Sequence, residues 1–144
     1  MRAAATILRE LAAVLPQAAN DGAVALEQAM VRANRIFTSG AGRSGLMLTA
    51  FTNRLMHLGL SAHRVGDVTS PAIRVGDLLI VASRSGSTAG PLANAHIAAA
   101  SGAAVVAVTA DPLSPWRSAQ APLLSLPLPH QYNRWDRCSS RHFS

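Results

Sequence analysis

Arg35-Ile36-Phe37-Thr38-Ser39-Gly40-Ala41-Gly42-Arg43-Ser44-Gly45 and Asp77-Leu78-Leu79-Ile80-Val81-Ala82-Ser83-Arg84-Ser85-Gly86-Ser87-Thr88 follow one plan. In each, a short apolar run leads into a loop of glycine and hydroxyl residues, and a segment with helical spacing follows. Such a run reads as a buried strand, and the repeat reads as strand, helix, strand. Glycines let a ligand approach the backbone closely, hydroxyls donate hydrogen bonds, and a helix N-terminus adds N–H groups and partial positive charge. That chemistry suits a phosphate, with one loop gripping it and the other lining the group attached to it.

Working outward, Ile7, Leu8, Leu11, Val14 and Leu15 repeat with helical spacing. The stretch Ala3 to Ala19 has the look of a signal peptide, but Arg9 and Glu10 interrupt it, and an amphipathic helix broken at Pro16 is the expectation. Asn20-Asp21 supply N-cap chemistry for a second helix to about Asn34. The first strand is expected over Arg35 to Thr38. A helix then runs from about Ser44 to Leu58, with Gly59 as its exit. Ser61 to Val65 reads as a short strand and Leu78 to Ala82 as the strongest one. An alanine-rich helix from Thr88 to Ser101 ends at Gly102, and a strand follows over Ala104 to Thr109. Ser114-Pro115-Trp116 opens a short helix, and a weak last strand falls within Pro122 to Leu128. Alternation of this kind implies an α/β fold: a three-layer α/β/α sandwich on a parallel sheet, with ligands beyond the carboxyl ends of the strands.

A chain of 144 residues that is 49% hydrophobic suffices for one domain with a substantial core. Aromatics are only 4%, so the core rests on Ala, Leu, Val and Ile, the material of helices on a parallel sheet. The net charge of +6 invites a nucleic-acid reading, yet all 13 basic residues are arginines, scattered singly without interleaved aromatics. No nucleic-acid partner is expected. The single Cys138 excludes an internal disulfide, and no Cys/His spacing resembles a metal site, so a reducing cytoplasm and no metal are expected. No apolar run is long enough for a membrane span. Residues 129–144 lose the alanine bias and both periodicities and read as an irregular tail.

Gly40-Ala41-Gly42-Arg43-Ser44-Gly45 fits the G-x-G-x-x-G spacing of a dinucleotide loop, with Asp67 near the end of the next strand as a ribose-binding acid. Against that reading, Arg43 and Ser44 occupy the turn, and a dinucleotide fold gives no reason for a second hydroxyl-rich loop. Asp67 reads equally as a turn aspartate bonding its own backbone. A Walker loop is excluded, because the chain has no lysine.

Four stretches together, Gly40-x-Gly42-Arg43-Ser44-Gly45, Arg54-Leu55-Met56-His57-Leu58-Gly59, Val65-Gly66-Asp67-x-Thr69-x-Pro71 and Ser83-x-Ser85-Gly86-x-Thr88, resemble the sugar isomerase (SIS) phosphosugar-binding family, from about residue 3 to 128. Within it they are most similar to the 6-phospho-3-hexuloisomerase branch. The resemblance implies a five-stranded parallel sheet of flavodoxin-like order, assembly as a dimer or tetramer, no cofactor, and a phosphorylated hexulose or related sugar phosphate as substrate. By the same resemblance Ser83, Ser85 and Thr88, with the Gly86 backbone, hold the phosphate. Gly42, Arg43 and Ser44 line the sugar side, and Thr69 and Ser70 close over it. The implied reaction interconverts 3-hexulose 6-phosphate and fructose 6-phosphate through an enediol.

Relatives carry Gly where Arg84 stands and Glu where Ser87 stands. The family also places a glutamate base in a helical region past the last strand, which nothing in His130 to Ser144 matches, so truncation, frame shift and divergence all remain open. His57 reads either as an acid or base acting across a subunit contact or as a packed helix-end histidine. A non-catalytic phosphosugar-sensing module is therefore an alternative to the isomerase, and a dinucleotide-binding domain is a further one.

Overall fold

The computed structural model describes residues 2–18, 21–111, 113, 115–116 and 123–125. Two helices, α1 (Arg2–Ala18) and α2 (Asp21–Arg32), precede β1 (Ile36–Gly40) and α3 (Gly42–His57). Then come β2 (Ala62–Arg64), β3 (Leu78–Ala82), α4 (Ala89–Ala100), β4 (Ala104–Thr109) and β5 (Leu123–Ser125). The sheet order is β2-β1-β3-β4-β5, with every pair parallel. Register sets Ile36 beside Ala62 and Leu78, Gly40 beside Ala82, and Leu78 beside Ala104.

Side chains alternate across the sheet and build two cores. Ile36, Leu78, Ile80 and Val106 face Leu48 and Leu55 of α3, with Leu26, Ala29 and Met30 of α2 packed against them. Phe37, Leu79, Val81, Val105 and Ala107 face Ala95 and Ala98 of α4, together with buried Trp116. Both crossover helices end in the same six-residue motif. Gly59 at φ +82° follows α3, with Leu60 N–H donating to Leu55 O at 3.1 Å and Gly59 N–H to Met56 O at 2.9 Å. Gly102 at φ +76° follows α4, with Ala103 N–H donating to Ala98 O and Gly102 N–H to Ala99 O.

At the amino end of the strands, Arg35 grips Asp77 through Nε–H to Oδ1 at 3.0 Å and an NH2 group to Oδ2 at 2.6 Å. The same NH2 group donates to Ala72 O, and Arg74 N–H donates to Asp77 Oδ2 at 2.8 Å. Burial pushes the Asp77 carboxyl up, but these hydrogen bonds and the two arginine charges outweigh it and hold the group below the usual carboxylate range.

Several boundaries differ from the sequence expectation. α1 continues through Pro16, because in the last turn the missing N–H removes a single helical bond and little helix remains to disrupt. β1 runs two residues beyond Thr38, and α3 starts at Gly42 rather than Ser44. α2 stops at Arg32, and β2 is confined to three residues. The expected helix beyond Trp116 and the tail over 129–144 lie outside the described residues. Among the described residues no helix is long and apolar enough to cross a membrane.

Candidate functional site

The two glycine-hydroxyl loops open from the carboxyl ends of the neighbouring strands β1 and β3, inside the sheet. β1 passes into α3 through Ala41 alone, and Gly42 turns the chain at φ +52°. The turn works because α3 lies almost on the strand end. A Cβ at Gly45 would stand 2.6 Å from Gly40 O, so this glycine permits the close approach. Ala41 holds the N-cap position without a side chain that can cap, which leaves the first-turn N–H groups of α3 without a capping oxygen.

The second loop is tied internally. Ser83 and Thr88 hydroxyls lie 2.8 Å apart, as do those of Ser85 and Ser87. Gly86 turns at φ +62°, and its N–H donates to Ser83 O at 3.3 Å. Thr88 is the N-cap of α4 but spends its hydroxyl on Ser83, so no side chain caps α4 either. The loop is pinned to β4 through Arg84 O, which accepts Thr109 Oγ1–H at 3.0 Å and Ala110 N–H at 3.2 Å.

Between the loops lies a cleft of about 870 Å³. Gly42, Arg43, Ser44, Ser83, Arg84, Ser85 and Thr88 line it, so the structure brings together six of the expected site residues. Met47, Leu48, Phe51 and Val108 form an apolar wall on the α3 side. Thr109 and Ala110 complete the rim, a contribution the sequence reading missed. The available signal was that Thr109 ends a strand, where ligands gather in such sheets. Asn94 was missed as well: from α4 it donates Nδ2–H to Ser39 Oγ at 2.9 Å and ties α4 to the end of β1.

The other expected residues do not line the cleft. Thr69 is exposed outside the cleft, and Ser70 lines a separate cavity of about 170 Å³ on the α4 face, beside Asp67 and Asn94. The connector takes this path because Val65 and Ile73 pack into the α4-side core and because Gly66 reverses the chain at φ +96°. His57 closes α3 fifteen residues after Gly42, about 22 Å along the helix at 1.5 Å per residue, so it does not meet the cleft of its own chain. Gly86 shapes the loop from a buried position rather than lining the cleft. Asp67 pairs with Arg64 at 3.3 Å and is therefore not placed against the first loop as a ribose-binding acid. Among the described residues no group of His, Cys, Asp and Glu side chains is arranged to hold a metal.

The SIS domain family model matches residues 29–131. The 3-hexulose-6-phosphate isomerase of Mycobacterium gastri is 50% identical over 90 residues, covering 62% of this chain and 45% of that protein. The enzyme of the same name from Bacillus subtilis is 41% identical over 110 residues, covering 76% and 60%. The chain thus spans about half the length of these curated relatives. Among solved structures, a hypothetical protein of Methanococcus jannaschii, for which the function of 3-hexulose-6-phosphate isomerase is inferred, superposes with a TM-score of 0.77 at 29% identity, covering 89% of this chain and 73% of that one. With its match over residues 29–131 and its parallel sheet carrying two glycine-hydroxyl loops at the carboxyl ends of neighbouring strands, this chain belongs to the SIS domain family.

Proposed function

We propose that this chain is the phosphosugar-binding domain of an isomerase that interconverts 3-hexulose 6-phosphate and fructose 6-phosphate through an enediol, in the three-layer arrangement of its family. The observation that carries the reading is the cleft itself, where two uncapped helix ends and two hydroxyl-rich loops converge. The hydroxyls of Ser83, Ser85 and Thr88 hold the phosphate on the loop shaped by Gly86. Gly42, Arg43 and Ser44 face the carbonyl end, where the Arg43 guanidinium and the N–H groups of the first turn of α3 stabilise the oxyanion of the enediol. Thr69 and Ser70 would close over the sugar only if the connector left the α4 face.

The proton must move between adjacent carbons, which requires a base. Among the described residues no carboxylate or histidine lines the cleft. His57 reaches such a site only from a second copy of the chain, and self-association as a dimer or tetramer supplies one. Exposed Ile7, Leu8 and Leu11 on α1 and Met56 and Leu58 near the end of α3 support that assembly. No metal or cofactor is invoked, and a reducing cytoplasm suits a chain with one cysteine.

The same lack of a lining base favours a second reading, a phosphosugar-sensing module without catalysis. Thermal melting with fructose 6-phosphate, inorganic phosphate or NAD tests the binding class. At a hundredfold excess over Kd a ligand stabilises by about 2.7 kcal/mol, roughly 5 to 10 °C for a domain of this size. A shift with NAD and none with fructose 6-phosphate refutes both phosphosugar readings. Turnover of 3-hexulose 6-phosphate in the same preparation separates enzyme from sensor.

A further inference from the structure

The two loops are not fixed in the same way. One residue, Ala41, separates β1 from α3, and Gly45 lies against Gly40, so the first loop and its helix move with the strand. Six residues, 83–88, separate β3 from α4. The strand ladder brings Gly40 and Ala82 alongside each other, about 4.8 Å apart, but it does not determine where α4 comes to rest. The side chains that α4 buries are Pro91, Ala95 and Ala98, small apolar groups that set its height above the sheet and give little resistance to sliding along it.

A directional contact is supplied at Asn94, whose Nδ2–H donates to Ser39 Oγ at 2.9 Å. We infer that Asn94 is a positioning residue: through Ser39 it sets the spacing between the two loops, and with it whether one ligand can touch both. The inference rests on the phosphosugar reading above. Thr38 and Ser39, both buried, are adjacent at the end of β1 and are bonded to opposite helices, Thr38 to Thr52 of α3 at 2.6 Å and Ser39 to Asn94 of α4. Gly40 follows at once, so this strap is seated directly beneath the first loop. On the other side Asn94 lies six residues after Thr88, the N-cap of α4, about 9 Å along the helix at 1.5 Å per residue. Any sliding of α4 is therefore carried to Thr88, whose hydroxyl is bonded to Ser83. Asn94 also borders the cavity of about 170 Å³ on the α4 face, so water can enter behind a shortened side chain and meet the Ser39 hydroxyl. Losing the strap is thus expected to cost alignment more than stability.

Titration calorimetry of the full chain with inorganic phosphate and fructose 6-phosphate tests this, because phosphate alone needs one loop and the sugar phosphate needs both. Asn94→Ala is expected to weaken fructose 6-phosphate about 3- to 30-fold, the size of effect typical of residues that act without touching the ligand, and to leave inorganic phosphate within about twofold. Ser39→Ala removes the same bond from its other end and should give the same split, with the double variant no weaker than either single one. It carries the test alone if Asn94→Ala fails to fold. Ala93→Gly, at an exposed position of the same helix, lowers Tm by loss of helix propensity and should leave both affinities unchanged. Unchanged binding or an equal weakening of both ligands in Asn94→Ala, additive losses in the double variant, or the same split in Ala93→Gly overturns this inference alone. So does a wild type that binds fructose 6-phosphate no more tightly than phosphate. Binding of neither ligand overturns the phosphosugar reading and the inference with it.

Discussion

Replacing Gly45 with alanine is expected to weaken the fold and damage the cleft together. The new Cβ would meet Gly40 O at 2.6 Å and Gly40 C at 3.0 Å. The first contact is roughly 0.8 Å short of ordinary van der Waals separation, and both atoms are backbone, so no side chain can rotate aside. The start of α3 has to lift from the end of β1. Alanine returns about 1 kcal/mol of helix propensity, whereas overpacking against an immobile neighbour costs about 1–3 kcal/mol or more. The net loss should be up to about 2 kcal/mol, a fall in Tm of up to roughly 8 °C, with weaker fructose 6-phosphate binding because Arg43 and Ser44 move with the helix. Gly90 supplies the comparison: it also lies in the first turn of a helix, but a Cβ there meets nothing and its φ is ordinary. Gly90→Ala should therefore stabilise by about 0.5–1 kcal/mol. Thermal and urea melts of the two variants in parallel decide the matter. If Gly45→Ala proves as stable as Gly90→Ala, the close approach of helix and strand is not what this glycine is for.

Other expectations can be checked on the same preparations. Thr52 Oγ1–H donates to Leu48 O at 2.7 Å, so Thr38 must be the donor in the buried 2.6 Å contact between the two hydroxyls. Thr52→Val should cost about 1–3 kcal/mol by stranding the Thr38 hydroxyl, and adding Thr38→Val should recover much of that in urea unfolding. Asp77 titrates in the folded state below its unfolded value. Its stabilising contribution is therefore complete above about pH 4 and is lost as pH falls through the folded pKa. Asp77→Asn should be less stable than the wild type by about 1.5–3 kcal/mol at pH 7, with the gap closing at acid pH in denaturant midpoints. Ser83→Ala removes the hydroxyl bonded to Thr88 at 2.8 Å. It should lower phosphate affinity about tenfold by calorimetry while leaving Tm nearly unchanged, since Thr88 can turn its hydroxyl to water.

What could be read from the sequence was what local chemistry dictates. Leu78 to Ala82 and Ala104 to Thr109 form strands as read, because an apolar run between turn residues has few other uses. Gly59 and Gly102 end their helices because only a residue tolerant of positive φ closes that turn cheaply. Pairing between distant segments was not legible. The extension of β1 to Gly40 follows from its ladder with β3, which continues to Ala82, and no local signal announces it. Asn94 and Thr109 join the loops through partners 55 and 25 residues away. Thr69 and Ser70 were assigned by motif, but the path of the connector is decided by Val65 and Ile73 settling into a core on the α4 face. The separation of His57 from the first loop was readable, since both belong to one helix and its length follows from its residue count.

The alternation of side chains across β3 roots the two walls of the cleft in different cores. Leu78 and Ile80 hold the α3 side, while Leu79 and Val81 hold the α4 side. α3 anchors itself with buried Leu48, Thr52 and Leu55, whereas α4 buries the smaller Pro91, Ala95 and Ala98, with Leu92 only partly buried against the same core. Buried area per residue sets how costly it is to detach a segment, so the helix that follows the Ser83 to Thr88 loop is the more loosely moored. Amide hydrogen exchange should resolve the walls as separate opening units, with α4 exchanging sooner than α3 in the empty protein. Phosphate would slow exchange chiefly in α4, so that occupancy of the cleft is recorded in the protection of one helix.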